Sequence, residues 1–123
     1  MGTGSLIIKE SAQFHAEGMS SAAFRHGPME MVGPETFVLV FSGDRKTQDL
    51  NRKLLHDIQA QGGKAQLVGE GTVTPTFCVP EVPSSVRPIV EILPVQMITL
   101  ALAARAGREP GCFKLASKVT ATE

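Results

Sequence analysis

The chain reads as an α/β domain organised around a parallel strand–helix–strand unit. Thr36–Phe41 is a near-continuous apolar run rich in β-branched and aromatic side chains, preceded by Pro34 and followed by Ser42-Gly43-Asp44. Such a run fits a central parallel strand buried on both faces. Leu50, Leu54, Leu55 and Ile58 then fall at i, i+4, i+5 and i+8, the stripe of an amphipathic helix. Gly62-Gly63 stops that helix, and Lys64–Val68 supplies the next strand. Strand, helix and strand in this order form a βαβ unit with a right-handed crossover.

The flanking elements follow in order. Residues 1–4 are expected to be loose. Ser5–Glu17 is expected to be a helix with Leu6, Ile7 and Phe14 facing inward, ended by Gly18. A short helical turn over Ser20–Arg25 can be capped by the Ser20 or Ser21 hydroxyl. Gly27-Pro28 stops it, because proline disfavours the α region for the residue before it and glycine tolerates a left-handed cap. Pro28 can open the following turn. Thr47 is a candidate cap for the Leu50–Ile58 helix. Thr76–Val79 is a third strand candidate, and Pro80–Pro88 a surface loop. Ile89–Ala106 is expected to be a core helix kinked near Pro94, and 107–123 an irregular tail.

At 123 residues the chain has the size of about one domain. Lys+Arg 12 balance Asp+Glu 12, so net charge makes no case for nucleic acid or an anionic membrane as partner. The apolar run over Ile89–Ala106 contains Glu91, Pro94, Gln96 and Arg105, which favours a core helix over a membrane span. Cys78 and Cys112 have no metal-ligand spacing, and Met1-Gly2-Thr3-Gly4 lacks the charged and apolar regions of a secretory signal. Buried or idle thiols in a reducing, cytoplasmic setting are the expectation. The sequence holds no P-loop, no GxGxxG and no internal repeat.

Two residues suggest chemistry. Leu6 and Ile7 precede Glu10 by four and three positions, and Gln13 and Phe14 follow it by three and four, so α-helical spacing puts them on one face. A carboxylate among mostly apolar neighbours has a raised pKa, as a general acid or base requires. The solvated edge of an amphipathic helix gives the same spacing. His26 lies at a helix C-terminus, where the dipole favours imidazolium, and can serve either as a cap or as a proton carrier. Ser42-Gly43-Asp44, at the end of the first strand, is a candidate pocket edge or a plain turn. His15 and Glu17 fit a structural or interface role, and His56 an exposed one.

Lys9-Glu10, His15-Ala16-Glu17, Arg25-His26-Gly27-Pro28 and the ending Leu115-Ala116-Ser117-Lys118-Val119-Thr120, taken together, resemble the sugar isomerase (SIS) domain family. The resemblance covers about Leu6 to Glu123. Within the family it is nearest to the isomerase half of the glutamine–fructose-6-phosphate aminotransferases and their glutaminase-free relatives. It implies a three-layer α/β/α sandwich on a mainly parallel, flavodoxin-like sheet. Residues 5–106 would form the C-terminal part of that domain, truncated on its N-terminal side, and 107–123 a tail carrying Lys118. It also implies ring opening and C1–C2 proton transfer on a hexose or hexosamine 6-phosphate, without glutaminase activity. A non-catalytic sugar-phosphate-binding module and an inactive fragment are the alternatives.

Carried over by position, Glu10 matches the proton-shuttling glutamate. His26 matches the ring-opening histidine, contributed across a homodimer interface, and Lys118 the lysine that closes over the sugar. Ser42 and Ser117 are weaker substrate-binding candidates. The resemblance implies no cofactor and no metal. The chain departs from the pattern at Ile7, where the aminotransferases carry a lysine, and in the one extra residue between Leu115 and Lys118. The family's Ser/Thr-rich phosphate loop is expected to lie before the helix that carries Glu10, upstream of Met1.

Overall fold

The computed structural model describes residues 2–113. The element order is α1 (Gly2–Ile7), a π-turn (Ile8–Ala12), α2 (Ser21–Arg25), a 3-10 turn (Pro28–Met31), β1 (Phe37–Phe41), α3 (Gln48–Ala60), β2 (Lys64–Val68), a second 3-10 turn (Pro75–Phe77) and α4 (Arg87–Arg105). The chain divides into two compact units. One is Met19–Pro94; the other joins Met1–Gly18 to Val95–Glu123.

The unit Met19–Pro94 contains the expected βαβ arrangement. β1 and β2 pair in parallel from Phe37↔Lys64 to Phe41↔Val68. Parallel strands need a crossover, and α3 supplies it. Val40, Leu54, Ile58, Ala65 and Leu67 make the core, with Phe24, Met29, Val32, Val38 and Leu55 packed against them. The buried stripe of α3 is carried by Leu54 and Ile58, whereas Leu50 is exposed. Asn51, one residue further on, is the half-buried polar member of that face. β1 is less covered than its sequence suggests: Val40 is buried, but Phe37 is 52 % exposed.

The two glycines after α3 serve different needs. Gly62 sits at φ 85, the left-handed region. Its N–H donates to the Gln59 carbonyl, and the Gly63 N–H to that of Ile58, which together make a Schellman cap. A Cβ at Gly63 would lie 2.6 Å from Val32 Cγ1 and 2.9 Å from Ile58 Cγ2. Thr47 makes no side-chain cap. The Asp44 carboxylate instead accepts from the Lys46 and Thr47 N–H groups and the Thr47 hydroxyl. Those bonds, the Thr47 hydroxyl first, hold the Asp44 carboxyl below its ordinary pKa.

The third strand does not form. Thr76–Val79 is cut to a single parallel bridge, Gly69↔Cys78, next to the 3-10 turn Pro75–Phe77. Pro75 and Pro80 bracket the segment, and neither can donate to a ladder. Cys78 and Cys112 are both exposed, so of the two expected alternatives, buried or idle, burial does not hold. A hydrogen bond from the Cys112 thiol to Glu109 and the charge of that carboxylate raise its pKa.

The first half of α4 is tied to the strand ends. Arg87 Nη1 donates to the Gly43 carbonyl at 2.8 Å, and Nη2 pairs with Glu70. Glu91 lies one turn further along, with its Oε1 enclosed and without a partner among the described residues. Burial pushes the Glu91 carboxyl above its ordinary range, the Arg87 guanidinium draws it back, and Glu70 adds to the rise.

In the other unit, α1 starts at Gly2, inside the leader expected to be loose, and runs into the π-turn. The helix stops at Ala12 instead of Glu17, because Gln13 turns left-handed at φ 50. Val95, Thr99 and Ala103 form the buried stripe of α4 here, and the Thr99 hydroxyl donates to the Val95 carbonyl at 2.8 Å. A cavity of about 270 Å³ is lined by Ile7, Ser11, Gln96, Thr99, Leu100 and Pro110.

The core-helix expectation holds for only one face of α4. Ile89, Leu93, Met97 and Leu100 are exposed. Among the described residues this one helix is long and apolar enough to cross a membrane, judged by length and composition.

This packing sets the sign of two stability effects. Gly63→Ala should lower the urea midpoint by an amount equivalent to roughly 1–3 kcal/mol, the usual cost of overpacking, as followed by circular dichroism. Glu91 has its pKa raised on folding, so it opposes folding once the pH passes the ordinary carboxylate range. Glu91→Gln should therefore raise Tm at about pH 7, and the gain should shrink toward about pH 4, where the unfolded carboxyl also holds its proton.

Candidate functional site

Glu10 is in the π-turn with its side chain exposed. The apolar setting expected from α-helical spacing is not formed. The wide turn breaks that spacing, Gln13 leaves the helix, and Phe14 is itself exposed. Ile7 and Ser11 line the cavity beside α4, and Glu10 is not among its lining residues. Lys9 approaches Glu17 at 3.8 Å, an exposed pair of little energetic weight. Arg108 reaches the end of the same turn: its Nη1 donates to the Ala12 carbonyl at 2.6 Å and to that of Gln13 at 3.2 Å.

His26 is the C-cap of α2, as expected, and its side chain is exposed. Its backbone N–H donates to the Ala23 carbonyl. The Ser20 hydroxyl caps the other end, accepting from the Ala23 N–H at 3.1 Å. Gly27 is nearly extended, at φ 163, instead of left-handed, and Pro28 opens the 3-10 turn. Two polar contacts fasten α2 to α3. The Ser21 hydroxyl donates to Asn51 Oδ1 at 2.7 Å, and Arg25 pairs with Asp57 at 2.8 Å. Phe24 and Met29 pack on the core on either side of the histidine. His26 therefore sits on a short segment anchored at both ends, with its imidazole facing solvent.

Ser42 is 2 % exposed. Its N–H donates to the Val68 carbonyl, and its carbonyl accepts from Asn51 Nδ2 at 3.1 Å. A Cβ at Gly69 would lie 2.5 Å from the Ser42 hydroxyl oxygen. In this chain Ser42 is thus buried and packed where the two strands end. His15, Glu17 and His56 are exposed. Lys118 and Ser117 lie outside the described residues. Glu10 belongs to one unit and His26 to the other, so each is placed within its own unit.

Sequence reasoning missed Asn51, Arg87 and Arg108. Asn51 carried a signal, because it stands three residues before Leu54 and seven before Ile58, on the buried stripe. Arg87 and Arg108 carried none, since their partners, the Gly43 carbonyl and the Glu70 carboxylate for one and the Ala12 and Gln13 carbonyls for the other, are distant in sequence. Among the described residues no group of three or more His, Cys, Asp or Glu could hold a metal ion.

Comparison with known proteins adds a family to this geometry. The SIS domain profile matches residues 3–106. A glutamine–fructose-6-phosphate aminotransferase (isomerizing) of Pyrococcus horikoshii is 31 % identical over 112 residues, covering 87 % of this chain and 19 % of that protein. The enzyme of the same name from Brucella abortus is 26 % identical over 114 residues, covering 86 % and 19 %. The chain thus spans about a fifth of the curated relatives it matches.

Among solved structures, the C-terminal domain of glucosamine-fructose-6-phosphate aminotransferase from Francisella tularensis superposes with a TM-score of 0.74 at 24 % identity. It covers 89 % of this chain and 33 % of that one. Glucosamine-6-phosphate deaminase from Thermotoga maritima gives 0.74 at 21 %, covering 92 % and 34 %. These likenesses carry the fold, a parallel sheet flanked by helices, here in partial form. With its profile matched across most of its length, the chain belongs to the SIS domain family.

Proposed function

We propose that this chain carries part of the catalytic machinery of a phosphosugar isomerase or aminotransferase acting on a hexose or hexosamine 6-phosphate. Glu10 takes the C1 proton of the open-chain ketose. The electron pair left behind forms the enediol, as the C2 oxygen gains a proton. Return of a proton to C2, with loss of one from O1, gives the aldose. His26 opens the ring beforehand, accepting the anomeric hydroxyl proton and giving one to the ring oxygen. Lys118 closes over the opened sugar, where its amine can condense with the carbonyl to a Schiff base with release of water, and hydrolysis returns the free carbonyl before proton transfer; Ser117 is its neighbouring hydroxyl. Ser42 has no contact with substrate in this reading.

One observation carries the proposal. Both family-matched groups stand exposed at backbone irregularities, Glu10 in a π-turn and His26 at a helix end before Gly27-Pro28. Proton transfer needs such positioned groups open to a ligand. The exposed face of α4 supports a homodimer in which a second copy brings its His26 to the sugar. The ion pair of Arg87 and the mid-helix Pro94 support α4 as a domain helix, not a membrane span. The exposed free thiols suit a reducing cytoplasm.

In heavy water, the protein should exchange the C1 or C2 proton of fructose 6-phosphate, as read by proton NMR. Glu10→Gln should slow this by about 10²–10⁴-fold, the usual worth of a general base. Binding of the sugar phosphate without exchange would assign the chain a sensing role instead.

A further inference from the structure

We infer that Arg108 is a positioning residue for Glu10, holding the π-turn that presents the carboxylate. The inference rests on the reading of Glu10 as the proton-transfer group. Three separate features meet at this turn. The helix changes from α to π at Ile8, just ahead of Glu10. It ends at Gln13, a non-glycine residue held left-handed at φ 50. Ala12, between them, is 1 % exposed and anchors the turn.

A helix end leaves carbonyls without intrahelical partners, and a left-handed non-glycine residue is sparsely populated unless its surroundings hold it. Arg108 provides such a hold. Its guanidinium donates to both the Ala12 and Gln13 carbonyls, and the positive group also suits the negative end of the helix. The delivery of Arg108 is itself built into the fold. Gly107 sits at φ 63, its N–H donates to the Ala104 carbonyl, and the Arg108 N–H to that of Ala103. That is the Schellman geometry, and it fixes the direction in which the chain leaves α4. Glu10 makes no contact with Arg108; it is placed through the backbone that Arg108 holds.

The test uses Arg108→Ala and Arg108→Lys, with two readouts. The first is amide hydrogen exchange over residues 8–13. Losing charge-assisted hydrogen bonds should speed it by about ten-fold or more, with the β1–β2 amides unchanged as the control for folding. A lysine keeps the charge but not the fixed planar N–H directions with which one Nη1 meets both carbonyls, so Arg108→Lys should restore only part of the protection. The second readout is the sugar proton exchange described above, where kcat should fall with KM little altered.

Unchanged amide exchange in Arg108→Ala would overturn the inference, whether or not the sugar is a substrate. Faster amide exchange with an unaltered kcat would overturn it as well, since Glu10 would then not depend on the turn. Absence of sugar exchange in the unsubstituted protein would refute the reading of Glu10, while the amides still decide whether Arg108 holds the turn.

Discussion

Parallel pairing of β1 with β2 is the constraint on which the larger unit depends. Two strands running the same way cannot be joined by a tight turn, so α3 must cross from one to the other and bury its face on the way. Leu54 and Ile58 do so against Val40, Ala65 and Leu67. The sheet is only two strands wide among the described residues, and close backbone approach at its borders is part of how it holds together. Gly63 admits Val32 and Ile58 at one end, and Gly69 admits Ser42 at the other. The glycines are therefore packing residues as much as turn residues. What the strands leave unsettled is settled by three polar anchors: Asn51 uses both ends of its amide, Asp57 pairs with Arg25, and Arg87 reaches the Gly43 carbonyl.

Much of this is legible in the residues. β1, α3 and β2 follow from one apolar run, one amphipathic stripe and a glycine pair, all of them local patterns with strong periods. The capped turn ending at His26 is legible for the same reason, since Ser20 and Pro28 each act on the backbone beside them. The misses have physical causes too. A 3.6-residue period cannot foresee a π-turn, so spacing alone carries the helix through Glu10 too far and sets its neighbours on the wrong face. The third strand has the right composition but lacks donors around it. Leu50 fits the stripe by spacing, yet the polar Asn51 holds the face, because its hydrogen bonds are worth having there.

The chain spans a fifth of its curated relatives. Among the described residues the outer face of α4 and one edge of β1 are uncovered, the kind of apolar face and strand edge on which other protein commonly packs. Glu10 and His26 are exposed too, and stand at the ends of secondary structure where the backbone is least regular.

The π-turn also bears on ancestry. A wide turn holds one residue more than an α-helical turn needs, so gaining or losing a single codon between Ile8 and Ala12 is the smallest genetic event that interconverts the two. Such an event would rotate every side chain on one side of the change by roughly 100° about the helix axis. A side chain in this segment would thereby change the face it presents without any change in its own identity.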